Sequence, residues 1–88
     1  MSATVKRLTN QLWKLIPMRE NEENWKKQLD TVTLEIAGLH EIFSMPQFLI
    51  MLSKLEGLSV VESTFALYRK TVFESIELLQ EILNGSGL

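Results

Sequence analysis

The side chains best equipped for chemistry in this 88-residue chain are one histidine and two groups of glutamates. A histidine could act as general base or metal ligand near neutral pH. His40 directly follows the apolar Leu39, and only Asp30 and Glu41 are nearby carboxylates. Nucleophilic catalysis needs a base beside an activated hydroxyl and a third group that orients the base. No such set is spaced around His40, which reads as the exposed shoulder of a helix. Glu20, Glu22 and Glu23 form one acidic group, and Glu74, Glu77 and Glu81 the other. Without partner histidines or an oxygen-rich loop, neither group resembles a metal cage. The four glycines are isolated or terminal, so no phosphate-cradling loop is present. Asn84-Gly85-Ser86 matches a glycosylation acceptor but reads as a helix end. The expectation is no catalytic residue, no metal site, no cofactor and no enzymatic activity.

The elements that would position these side chains are all helical. Val5, Leu8, Leu12, Leu15 and Ile16 recur at three- and four-residue spacing and predict a first helix over 3–16. Pro17 is expected to stop it, because proline lacks the amide donor and clashes with the preceding turn. Trp25, Leu29, Val32, Ile36, Leu39 and Phe43, widened by Ala37 and Ile42, predict a second helix over 22–43. Glu22 and Glu23 would favour its positive end and pair with Lys26 and Lys27 one turn on. Ser44 followed by Pro46 opens a short third helix over 46–56, with Gly57 as its stop. Ser59 and Glu62 form a capping box for a fourth helix over 60–83. Its stripe is Val61, Phe65, Tyr68, Val72, Ile76, Leu79 and Leu83, flanked by Phe73 and Ile82.

These helices predict an all-α fold, a small four-helix bundle or two stacked α-hairpins. The long second and fourth helices are expected to pack along each other, with the first and third covering their groove. Residues 1–84 make one domain and 85–88 a flexible tail, since a chain of this length supports a single small core.

Composition narrows the function classes. The net charge is −2, with Lys6, Arg7, Lys14, Arg19, Lys26 and Lys27 interleaved with acids. No one-signed basic face is visible, so nucleic acid is not the expected partner. The longest apolar run is five residues, against the ~20 that span a membrane, so no membrane partner is expected. There are no cysteines and no signal-peptide pattern. Together these predict a soluble intracellular protein, cytoplasmic or nuclear.

That five-residue run, Phe48-Leu49-Ile50-Met51-Leu52, is the sharpest interaction signal. Consecutive apolar residues point in every direction around a helix, and a small bundle covers only about half of it. At least two should stay uncovered and face another chain. The expected partner-binding residues are Phe48, Leu49, Met51, Leu52 and Leu55, with Leu58 adjoining. Trp13 lies beside the first stripe, as a bundle flank or a partner contact, whereas Trp25 and Tyr68 fall on their stripes and read as core. The partner is another protein or a second copy of this chain, the latter because the 4-3 spacing of the second and fourth helices could support a homodimer.

Three segments also resemble helical repeats of the HEAT type, in particular the first repeats of the TOG and CLASP arrays that regulate microtubules. They are Glu23-Asn24-Trp25-Lys26-Lys27, Gln47-Phe48-Leu49, and Ala66-Leu67-Tyr68-Arg69-Lys70-Thr71 ahead of Leu78-Leu79. About two-thirds of the chain is similar. The helices are uneven and no loop carries a tubulin-contacting set, so the resemblance assigns no binding residue. A weaker likeness is to the helical N-terminal domain of transcription elongation factors and its integrase-binding relatives. Both resemblances imply a non-catalytic interaction scaffold.

Overall fold

The computed structural model describes the backbone of residues 2–60 and 64–85. Among these, four helices account for nearly every residue and there is no strand: α1 (Ser2–Glu20), α2 (Trp25–Phe43), α3 (Pro46–Val60) and α4 (Phe65–Gly85). α1 packs on α2 and α4, and α3 packs on α2 and α4. Among the described residues neither diagonal pair, α1 with α3 or α2 with α4, brings its backbones close, and α2 reaches α4 only through side chains such as Trp25 against Tyr68. The two hairpins therefore close on each other as a four-helix bundle of 37 × 20 × 19 Å. This corrects the expectation that α2 and α4 lie side by side. Four stripes of similar width bury most completely around one axis, which places alternate helices on the diagonal.

The core takes the predicted stripes. Val5, Leu8, Leu12 and Leu15 of α1 meet Leu29, Val32 and Ile36 of α2. Phe48, Met51, Leu55 and Leu58 of α3 and Tyr68, Val72, Ile76, Leu79 and Ile82 of α4 complete it. Three expected stripe members fall outside the core: Ile42 is 73% exposed and Phe43 43% at the end of α2, and Phe65 is exposed at the start of α4, where the helix ends leave side chains less covered. Val61 lies outside the described residues.

Helix ends differ from expectation for local reasons. α1 runs through Pro17 to Glu20. In its last turn, proline forfeits only the bond to the Trp13 carbonyl. What stops α1 is a Schellman motif. Glu22 sits in the left-handed region at φ 57°, and the amides of Glu22 and Glu23 bond the carbonyls of Arg19 and Met18 at 3.1 and 2.7 Å. Glu22 and Glu23 thus belong to the connection, and their one-turn pairing with Lys26 and Lys27 does not arise. Asn24 caps α2 instead, its side-chain oxygen accepting from the Lys27 amide.

Ser44 proves to be the C-cap of α2 rather than the N-cap of α3. Its φ is 52° and its amide donates to the His40 carbonyl at 2.8 Å. Pro46 does open α3, as its fixed φ favours. Gly57 does not end that helix, which continues to Val60. Glycine costs only ~1 kcal/mol inside a helix, and the extra turn buries Leu58. Ser59 therefore lies in α3, and Thr64 caps α4 through its hydroxyl to the Leu67 amide at 3.2 Å. Glu62, the other half of the expected box, lies outside the described residues. α4 includes Gly85, the first residue assigned to the tail; 86–88 lie outside the described residues. No described helix is long and apolar enough to cross a membrane.

Candidate interaction surface

α3 divides its apolar run between the core and the outside. Phe48, Met51 and Leu55 share one face by their three- and four-residue spacing, and that face points to the bundle axis. All three are fully buried and Leu58 nearly so. Their assignment to a partner surface is therefore corrected, since a side chain spent on the chain's own core has no area left to offer. Leu52 is half-buried against the core edge. Leu49 and Ile50 remain outside, 54% and 46% exposed. Beside them Pro46, Ser53 and Gly57 are exposed too, so the outer face of α3 carries charge only at Glu56 and, on its flank, Lys54. Lys54 is held by Glu74 of α4 at 3.6 Å.

Two further apolar side chains, Leu34 and Ile42 of α2, are 74% and 73% exposed. The sequence reading left Leu34 unassigned and placed Ile42 with the core. The available signal was position, for at about 100° per residue Leu34 falls on the side of the wheel opposite the stripe.

Trp13 is half-exposed on the α1–α4 seam and meets Phe73 edge-on, ring centres 5.0 Å apart. Arg69 lies over the Phe73 ring at 5.2 Å. Trp13 thus acts as a bundle flank that still presents half its surface. Trp25 and Tyr68 pack as core residues. Their rings meet edge-on at 5.1 Å, and the Arg19 guanidinium lies 4.6 Å from the Tyr68 ring and 5.4 Å from Trp25. The Tyr68 hydroxyl donates to the Leu15 carbonyl at 2.9 Å, tying α4 to α1. Burial pushes the phenol up to about 12, against the opposing pull of Arg19.

The groups that could do chemistry are dispersed. His40 is half-buried near the end of α2, and its Nδ1 has no hydrogen-bond partner among the described residues. Asp30 stands ten residues back on the same helix, about 15 Å along the axis at the α-helical rise. Among the described residues no three His, Cys, Asp or Glu side chains converge as a metal site. Glu74 is engaged by Lys54, while Glu77 and Glu81 face solvent. Comparison with protein-family models, with curated protein sequences and with solved structures finds no match.

Proposed function

We propose that this chain is a non-enzymatic interaction domain that binds another protein through the outer face of α3. The observation that carries the reading is the pair Leu49 and Ile50. They are consecutive, half-exposed and set on a helix face nearly free of charge, while the same helix anchors itself through Phe48, Met51 and Leu55. Apolar side chains kept in water cost free energy that a partner would recover, at ~25 cal/mol per Å² covered. The scaffold families that the sequence resembles support the same reading, as both are non-catalytic.

Self-association is the second reading, and Ile42 and Leu34 are the observations in its favour, since they widen the apolar area available to a copy. The 4-3 stripes of α2 and α4 no longer speak for a dimer, because they are consumed in the chain's own core.

The test contrasts neighbours on one helix. Leu49→Asp with Ile50→Asp should leave helicity and melting nearly unchanged and abolish capture of the partner. Met51→Asp should unfold the domain, since a buried unpaired carboxylate costs several kcal/mol. Capture that survives the surface pair intact sinks the proposal. A concentration-dependent mass by light scattering, abolished by that same pair, would transfer it to the second reading.

A further inference from the structure

We propose that two copies of this chain pair through the outer face of α2, antiparallel about a two-fold axis that passes through the Leu34 position. The inference rests on the second reading, self-association, to which it gives a site and a geometry, and it uses no residue of α3.

α2 carries two stripes. The first, Leu29-Val32-Ile36, is buried in the core. The second is Lys27, Thr31, Leu34, Gly38 and Glu41, again spaced 4, 3, 4, 3, and all five residues are exposed. At about 100° per residue, Leu34 stands opposite the core stripe, and Lys27 and Glu41 lie within about 20° of its direction. α2 packs on α1 and α3 along its flanks, so no described helix covers this outer face. At the centre of the face Leu34 is 74% exposed. One turn on, Gly38 has open space where a Cβ would stand, which lets a neighbouring backbone approach closely. Thr31 spends its hydroxyl on the Lys27 carbonyl at 3.1 Å and asks no polar group of a partner.

Charge symmetry selects the occupant. Lys27 stands seven residues before Leu34 and Glu41 seven after, each about 10 Å away along the axis. A two-fold axis at Leu34 turns the copy end for end. Lys27 then meets Glu41 of the second copy, and Glu41 meets its Lys27, while Leu34 meets its own equivalent. Neither the Lys27 ammonium nor the Glu41 carboxylate has an ion-pair partner among the described residues. Asp30, exposed beside the stripe, comes opposite Gly38 of the copy, where no charge opposes it. Ile42, 73% exposed at the edge, comes opposite the aliphatic stem of Lys26. A partner helix of one charge sign would suit one end of this face and be repelled at the other. A single helix pair is a small interface, so the association is weak and reversible.

Light scattering at low salt should show the mass of the full chain rise from one copy towards two by roughly 1 mM, the strength of a small transient interface. The amides of Thr31, Leu34 and Gly38 should shift over the same range. Leu34→Asp, at an exposed position, should abolish association and leave helicity intact. Lys27→Glu and Glu41→Lys should each weaken association about fivefold or more. Both changes suit the helix dipole, so neither should unfold α2. Combined in one chain they should restore association, and a mixture of the two single variants should pair more tightly than either variant alone. A mass that stays at one copy over the whole range overturns the proposal and leaves the α3 face, read by partner capture, untouched. Association that is indifferent to Leu34→Asp, or that is lost instead on Leu49→Asp with Ile50→Asp, moves the contact off α2 and overturns it too. Failure of the double charge swap to restore association overturns the antiparallel pairing.

Discussion

Tyr68 is the residue at which most of the non-apolar interactions converge. It is fully buried, donates to a backbone carbonyl 53 positions away, and shares Arg19 with Trp25. A raised folded-state pKa means that the native state holds the phenolic proton more tightly than the unfolded chain does. That contribution to stability is fully present below about 10, the ordinary tyrosine value, and is lost as pH rises through about 12. Because Tyr68 is the sole tyrosine, phenolate absorbance reads it without interference. The native protein should show almost no phenolate near pH 10 and should lose stability between 10 and 12. A normal titration near 10 in the folded state would contradict the burial. Tyr68→Phe should remove that pH dependence and cost about 1 kcal/mol at neutral pH, the net worth of one hydrogen bond. Leu49 and Met51 make the complementary point: two positions apart on one helix, they have opposite fates.

At the scale of elements, helix bodies were legible and helix ends were not. Stripes such as Leu29, Val32 and Ile36 could be read directly, because periodicity is a property of neighbours in sequence. Ends depend on what else satisfies the terminal amides and carbonyls. Pro17 and Gly57 looked like stops, yet both lie inside helices, while Glu22 and Ser44 terminate helices in a left-handed conformation that glycine usually takes. Gly57 has open space where a Cβ would stand, so Gly57→Ala should stabilise by about 0.5–1 kcal/mol. Were Gly57 the left-handed terminus that its residue type suggests, the same change would destabilise. Glu22→Gly should also stabilise by up to ~1 kcal/mol, by relieving the cost that an L-residue bears at positive φ. Thermal melts check both, at about 4–8 °C per kcal/mol for a domain of this size.

The whole molecule is two hairpins closed into a ring, and its stability is a property of that closure. A core this small leaves little margin, so neither hairpin should persist alone. The two tryptophans report on different places. Trp13 lies against Phe73 on the α1–α4 seam, and Trp25 against Tyr68 near the first turns of α2 and α4. Melting followed by Trp25 in a Trp13→Phe variant, by Trp13 in a Trp25→Phe variant, and by circular dichroism should each superimpose two signals on one transition. Separate transitions for the ring signals and helicity would show that the hairpins open independently. The candidate surface also belongs to this scale. The apolar run at Phe48–Leu52 could be found in sequence, and so could the argument that some of it must stay uncovered. Which residues stay uncovered could not, because that depends on where α2 and α4 stand around α3.

The amino-acid sequence by itself determined that the chain is helical, which faces turn inward, and that one apolar run exceeds what a single face can hold. These follow from the 3.6-residue period, which acts over a few neighbours. The tertiary structure alone decided that α1 closes against α4, that α2 and α4 are diagonal, and that Leu49 and Ile50 stay outside while Phe48 and Met51 are buried. The reason is physical: helix adjacency is chosen by the joint burial of four stripes and fixed by contacts such as Arg7 with Glu35 and Tyr68 with Leu15. Those partners lie tens of residues apart, where no local pattern connects them.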